Sequence, residues 1–68
     1  MTIKIELNGE PCSVARGHTL QDLIESLQLT GQALAVAVNR QIVSRQKWGG
    51  RILEADDRVD VVRAIGGG

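Results

Sequence analysis

The chain opens with apolar residues at every second position. The positions that share this spacing are Ile3, Ile5 and Leu7. A period of two is expected for a strand with one buried face. Asn8-Gly9 follows directly, and both residue types tolerate the positive φ angles that a type I′ turn requires. The pattern therefore predicts a hairpin at the start of the chain.

The second strand of this hairpin is predicted to run from Pro11 to Ala15, with Cys12 and Val14 on one face. Proline has no N–H group to donate to a neighbouring strand, so it is tolerated where that group would face solvent. We therefore expect this strand to lie at an edge of the sheet.

The spacing of apolar residues then changes to that of a helix. The residues at positions i, i+3, i+4 and i+7 are Leu20, Leu23, Ile24 and Leu27. Thr19 precedes this stripe and Asp22 follows three residues later, which is a capping-box pattern. Gly31 is placed just past the expected end, where glycine readily adopts the left-handed conformation of a helix cap. One amphipathic helix is predicted here.

The second half of the chain contains three further apolar runs. Residues 33–38, ALAVAV, are continuously apolar, which favours an interior strand covered on both faces or nearly so. Residues 41–43 predict a short strand after a turn, and the stretch 44–52 predicts an irregular connection with one helical turn. After the EADD turn, Val59 and Val61 are predicted to face the core of a last strand, while Val62 faces outward.

This order of elements predicts an α+β domain in which a mixed sheet packs on one main helix. The first and last strands are expected to be parallel neighbours at the centre of the sheet, which is the β-grasp arrangement. The chain has 68 residues, enough for one core that buries about 60% of the unfolded surface. We expect the domain to span residues 1–65 and to end in a flexible glycine tail, 66–68.

Composition narrows the classes of function. The formal net charge is zero and Trp48 is the only aromatic residue, so the sequence has neither the positive field nor the stacking platform of a nucleic-acid binder. It shows no apolar stretch long enough for a signal peptide or a membrane helix. Cys12 has no second cysteine with which to form a disulfide. We therefore expect a cytoplasmic protein that binds neither nucleic acid nor membranes.

Three features together resemble the ThiS family, the sulfur carriers of thiamine biosynthesis. They are the β-grasp order of elements, the stretch VNRQIVSRQKW at 38–48, and the terminal Gly67-Gly68. The similarity runs along the whole chain. This sequence departs from the family at Ser44, where proline is frequent, at Gly66, whose counterpart usually has a side chain, and at Asp56, where glycine is favoured. We expect Asp56 to take the left-handed conformation of that glycine.

The resemblance implies a carrier protein rather than an enzyme. A partner adenylyltransferase of the ThiF type would use ATP and magnesium to adenylate the carboxylate of Gly68. Sulfur from a sulfur-donating enzyme would replace AMP and give a thiocarboxylate, which a ThiG-type thiazole synthase would consume. Gly66 and Gly67 would thread the tail into these enzymes, because no Cβ widens the chain there. No cofactor is expected to bind this chain itself.

Two stretches are candidates for docking these partners. Val62, Ala64 and Ile65 lead into the tail with little sequence left to cover them, and we interpret them as an apolar strip that faces a partner. Residues 39–53 contain four basic residues and no acidic one; the basic residues are Arg40, Arg45, Lys47 and Arg51. A solvated face and a second docking patch both remain open as interpretations of this stretch.

Three single residues have plainer interpretations. Trp48 is expected to be a packing anchor beneath the irregular connection, with contact to a partner as the alternative. Cys12 is interpreted as a small, half-buried apolar residue rather than a persulfide site, since nothing near it in sequence would lower a thiol pKa. His18 is expected to be a solvated loop residue, because the sequence offers no partners for a metal site.

Other functions remain open at this point. One is the small subunit of molybdopterin synthase or another sulfur carrier, although those chains are usually longer and often have prolines before the glycines. Another is a protein modifier joined through Gly68 to lysines of its targets. A third is a β-grasp interaction module whose tail has no role. The sequence offers no nucleophile and base in an arrangement typical of an enzyme.

Overall fold

The computed structural model describes residues 1–29, 31 and 34–63. Their five strands are β1 (Thr2–Leu7), β2 (Glu10–Ala15), β3 (Leu34–Val38), β4 (Gln41–Ile42) and β5 (Arg58–Arg63). Helix α1 (Leu20–Ser26) lies between β2 and β3 in the chain, and a 3₁₀ helix (Arg45–Gly50) lies between β4 and β5. Within these residues, no helix is long and apolar enough to cross a membrane.

The strands form one mixed sheet in the order β2-β1-β5-β3-β4. β1 runs parallel to β5, and the other neighbouring pairs are antiparallel. The first and last strands of the chain are therefore parallel neighbours at the centre of the sheet. This confirms the predicted α+β class and the β-grasp arrangement.

The first hairpin forms as the sequence predicts. Asn8 has φ 51° and Gly9 has φ 84°, the left-handed angles of the predicted turn. Pro11 lies opposite Glu6 in the edge strand β2. The N–H of Arg16 donates to the carbonyl of Met1, and hydrogen-bonded pairs alternate along an antiparallel ladder. By this alternation the nitrogen of Pro11 faces away from β1, where no N–H is needed.

Helix α1 begins as predicted but ends earlier. Thr19 Oγ1 accepts a hydrogen bond from the N–H of Asp22, and the Asp22 carboxylate accepts one from the N–H of Thr19, both at 3.1 Å. At the other end, the predicted cap at Gly31 is wrong. Gln28 takes the left-handed conformation, with φ 59°, and the N–H of Leu29 donates to the carbonyl of Ile24.

These contacts form a Schellman motif, which ends the helix at Ser26. Leu29 packs against the core, and this apolar contact favours turning the chain before Gly31. As a result Leu27, predicted to belong to the buried stripe, is the C-cap and is 36% exposed. Gly31 has φ 85° but lies beyond the cap.

The core lies between α1 and one face of the sheet, called here the inner face. Its buried residues are Ile5, Val14, Leu20, Leu23, Ile24, Val36, Val38, Trp48, Leu53 and Val59. Val61 is partly buried against them, as predicted. β3 is an interior strand, as predicted, but the expectation that it is covered on both faces or nearly so is wrong, because Ala35 is exposed on the outer face. Alanine adds little apolar surface, so a continuous apolar run does not require two covered faces.

The connection between β4 and β5 is organised around Trp48. This side chain is 3% exposed, its Nε1 donates to the carbonyl of Val43 at 2.9 Å, and the Arg45 guanidinium lies 5.3 Å from the ring centroid. Trp48 is thus the predicted packing anchor. Ser44 has φ −67°, the angle that proline imposes. Asp56 has φ 69° and replaces the expected glycine as predicted.

Candidate functional site

Strand β5 leads into the glycine tail that the sequence singles out. The described residues stop at Arg63 in this part of the chain, so the predicted docking residues Ala64 and Ile65 and the tail glycines 66–68 lie outside them. Because β5 is parallel to β1, it leaves the sheet at the end where β1 enters the first hairpin turn. The base of the tail therefore lies beside that turn.

The hairpin turn holds β5 in place through Asn8. Its backbone N–H donates to the carbonyl of Val59 at 2.9 Å, and its side-chain Oδ1 accepts from the N–H of Val61 at 2.8 Å. The side chain thus continues the hydrogen bonding of β1 one step beyond its end. On the other side of β5, Arg63 still pairs with Leu34 of β3. The strand is held on both sides close to the point where the tail begins.

The outer face of the sheet carries an apolar strip that ends at the base of the tail. Val62 is 61% exposed, as predicted, and lies opposite Ala35 of β3. Ala37, two residues along, lies opposite Ile42 of β4, which is 82% exposed. We call Ile42, Ala37, Ala35 and Val62 the outer apolar strip. Asp60 of β5 lies opposite Ala37 and adds one acidic residue beside this strip. Neighbouring exposed apolar residues are typical of an interaction site.

The sequence predicts the exposure of Val62 but not that of the other members of this strip. Its apolar run predicts that Ala35 and Ala37 belong to a strand covered on both faces or nearly so, and the short strand at 41–43 is predicted with no face specified for Ile42. Their pairing across β3, β4 and β5 depends on the sheet register. The available signal is the adjacent pair Ile42-Val43: neighbouring residues of a strand point to opposite faces, so only one of these two apolar side chains can face the core.

A second apolar surface lies on the inner side of the tail base. A groove of about 570 Å³ there is lined by Leu7, Asn8, Leu27, Leu29, Val61 and Arg63. It forms because α1 ends early, which leaves Leu27 beside the end of β5 instead of in the core. Apolar side chains therefore flank the base of the tail on both faces of the sheet.

The basic stretch predicted as either a solvated face or a docking patch has two kinds of residue. Arg51 and Arg45 have structural contacts: the Arg51 guanidinium lies 3.3 Å from the Asp57 carboxylate, and Arg45 stacks on Trp48. Arg40 and Lys47 are exposed. Within the stretch 39–53, Arg45 and Arg51 thus contribute contacts that stabilise the fold, whereas Arg40 and Lys47 lie at the surface.

The remaining candidates lie away from the tail. Cys12 is half-buried on the inner face of the edge strand, in agreement with its plain interpretation. His18 is also half-buried, and its backbone carbonyl accepts from the N–H of Leu53. At the start of α1, hydrogen bonds from Thr19 lower the pKa of the Asp22 carboxyl. In the described part of the chain, no group of three or more His, Cys, Asp or Glu residues could hold a metal ion.

Comparison with known proteins places these features in a family. The model of the ThiS family matches residues 5–68. A thiazole synthase of Magnetococcus marinus is 42% identical over 66 residues, which cover 97% of this chain but only 20% of that protein. The sulfur carrier protein ThiS of Escherichia coli is 32% identical over 97% of this chain and 100% of its own length.

A solved structure supports the fold independently. The crystal structure of the thiamine biosynthesis protein ThiS from Geobacter metallireducens superposes with a TM-score of 0.83, at 22% identity, over 97% of this chain and 100% of that one. The likeness covers the whole sheet and helix arrangement. It shows the β-grasp fold, and the family match through residue 68 together with the full-length match to the Escherichia coli protein shows that the chain belongs to the ThiS family.

Proposed function

We propose that this protein carries sulfur for thiamine biosynthesis on the carboxylate of Gly68. The carrier role follows from membership of the ThiS family. The observation that carries the proposal for Gly68 is that the family match extends through all three tail glycines, 66–68. The relative from Escherichia coli that is matched over its full length is itself a sulfur carrier.

The chemistry requires activation of the carboxylate by a partner. A carboxylate is a poor acyl donor because its charge is delocalised over two oxygens. A ThiF-type adenylyltransferase, with ATP and magnesium, lets a carboxylate oxygen of Gly68 attack the α-phosphorus while pyrophosphate leaves. The resulting mixed anhydride has AMP as a good leaving group. Sulfur at the oxidation level of sulfide, supplied by a sulfur-donating enzyme, attacks the acyl carbon while AMP leaves, and a ThiG-type thiazole synthase uses the resulting thiocarboxylate.

This chain acts in that sequence as a substrate and not as a catalyst. Ordering each tail residue inside a partner costs about 1–2 kcal/mol, so the folded body has to contribute binding affinity. We propose that the outer apolar strip contributes it, together with Ala64 and Ile65. Asn8 supports this role because it fixes the position of β5 immediately before the tail. We expect the carrier in the cytoplasm together with its partner enzymes.

Intact-mass spectrometry of protein purified from its native cells tests the proposal. A carrier in use is expected to show a fraction whose mass differs from the free acid by the replacement of one oxygen with sulfur at Gly68. Isopeptide-linked conjugates through Gly68 would instead indicate a protein modifier. A single free-acid species from cells that are actively making thiamine would argue for an idle tail and against the carrier role.

A further inference from the structure

The 3₁₀ helix and β4 enclose a groove that the tail chemistry does not use. Its volume is about 520 Å³, and its lining includes Gln41, Ile42, Gln46, Lys47, Gly50 and Arg51. Asn39, which also lines it, donates to the carbonyl of Arg58, the first residue of β5. The last residue of β5, Arg63, is the described residue nearest the tail in the chain and lies about 17 Å further along the strand at the usual rise per residue. The groove is therefore remote from the base of the tail.

The groove carries positive charge that the described part of the chain does not neutralise. The ion pairs among the described residues are Arg51–Asp57 and Arg58–Glu6. Lys47 in the groove and Arg40 in the adjacent turn therefore form no ion pair with a described residue. No acidic residue occurs from 39 to 53. The amides of Gln41 and Gln46 add hydrogen-bonding capacity. A carboxylate-rich segment is the complementary ligand for this lining.

The backbone of the 3₁₀ helix does not require glycine at its two neighbouring glycine positions, Gly49 and Gly50. A Cβ added to Gly49 or Gly50 would meet nothing within 4 Å, and neither residue has a positive φ. Glycine is costly to order in a helical segment compared with alanine. Gly50 lines the groove, whereas Gly49 does not. A glycine at that position lets another backbone approach the groove floor closely.

We propose that this groove docks an acidic segment of the thiazole synthase. The inference rests on the proposed function and adds a second contact surface to it. Besides the charge of the groove, it is supported by the Magnetococcus marinus thiazole synthase, in which a segment 42% identical to this chain is part of the same protein. Docking at the groove holds the folded body while leaving the tail, at the other end of β5, free to enter the active site.

Binding of purified thiazole synthase to wild-type carrier and to groove variants tests this inference. Ile42 belongs to both the groove and the outer apolar strip, so the variants avoid it. Lys47→Glu and Gly50→Ala are each expected to weaken binding about tenfold, a difference of about 1.4 kcal/mol. Lys47→Glu is also expected to reduce the salt dependence of binding. The melting temperature of Gly50→Ala should equal or exceed that of wild type, since alanine is easier to order.

Two matched controls separate docking from general effects. Arg16→Glu reverses an exposed charge beyond the opposite edge strand, and Gly49→Ala adds a methyl group to the same 3₁₀ helix outside the groove. Both are expected to bind like wild type. Equal affinity of all four variants would overturn the inference, as would a loss of affinity for the adenylyltransferase alone. Failure of the proposed function would appear separately, as absence of ATP–pyrophosphate exchange with wild-type carrier.

Discussion

Asp57 is a buried carboxylate that ties three segments of the chain together. It is 6% exposed and accepts hydrogen bonds from the N–H of Glu54 at 2.8 Å, the guanidinium of Arg51 at 3.3 Å and the amide of Asn39 at 3.0 Å. A buried charge is tolerated only when it is paired and hydrogen-bonded. These bonds fix the β3–β4 turn and the end of the irregular connection against the start of β5.

Replacing Asp57 with alanine should therefore lower the free energy of unfolding much more than replacing a neighbouring acidic residue. We expect Asp57→Ala to lower the free energy of unfolding by about 3 kcal/mol, the lower end for a broken buried pair, because the Arg51 side chain is 32% exposed. Asp60→Ala, on the outer face, should change it by less than about 0.5 kcal/mol. Urea unfolding of the two variants checks this, and similar losses for both would contradict the assigned role of Asp57.

At the scale of an element, the start of α1 responds to pH through its capping box. The backbone N–H of Thr19, and then its hydroxyl, hydrogen-bonds to Asp22 and lowers the pKa of that carboxyl below its ordinary value of 3.8. A lowered pKa in the folded state means that the stabilisation is present above the unfolded value and is lost as the pH falls through the folded value.

Thermal unfolding as a function of pH tests this behaviour. We expect Asp22→Asn to melt below wild type at neutral pH and to lose less stability than wild type as the pH drops below 3.8. Thr19→Ala removes the cap hydroxyl and should cost about 1 kcal/mol at neutral pH. If wild type and Asp22→Asn decline in parallel on the acid side, the capping box does not contribute in this way.

The outer apolar strip is an element-scale feature whose role can be tested by adding charge. Val62→Asp should leave the fold intact, because the side chain is 61% exposed, and should weaken adenylyltransferase binding at least about tenfold, a loss of about 1.4 kcal/mol. Ile65→Asp should act in the same direction. Ser13→Asp, on the outer face of β2, is the matched control and should bind like wild type in calorimetric titration. If Val62→Asp and Ile65→Asp both bind with wild-type affinity, the docking surface lies elsewhere on the carrier.

At the scale of the whole molecule, the sequence predicts turns and caps well, because their conformation depends on residues that are adjacent in the chain. The turn at Asn8-Gly9 and the cap at Thr19 each follow from a few adjacent residues, whereas the left-handed angle of Asp56 follows from the family resemblance; the structure contains all three. The end of α1 at Ser26 was mispredicted because it depends on Leu29 packing against a core assembled from distant strands.

Contacts between residues distant in the chain also explain which features of the candidate site the sequence does not predict. Asp57 looked like one acid in an acidic turn, and its role depends on Asn39 and Arg51, which lie 18 and 6 residues away in the chain. Ala35 and Ala37 have the same apolar character whether a strand is covered on one face or two, so periodicity could not assign them to the outer apolar strip. The docking residues Ala64 and Ile65 and the tail glycines 66–68, which the sequence indicates, lie outside the described residues.

The central claim is that the carboxylate of Gly68 is the reacting group, and its position can be changed without altering the folded body. One alanine appended after Gly68 advances an extended chain by about 3.3–3.6 Å. Reacting atoms must approach to about 3–3.5 Å, and a misplacement near 1 Å can cost on the order of 100-fold in rate. Deleting Gly68 should be nearly as harmful, whereas Gly67→Ala should be milder because only a Cβ is added.

The most direct measurement is ATP–pyrophosphate exchange by the cognate adenylyltransferase with wild-type carrier and with the carrier extended by one alanine. Binding of both forms is measured in parallel to show that the folded body still docks. The account predicts exchange with wild type and none above background with the extended form, at similar binding affinity. Normal exchange with the extended carrier would contradict it, since the carboxylate of Gly68 would then not be the group that is activated.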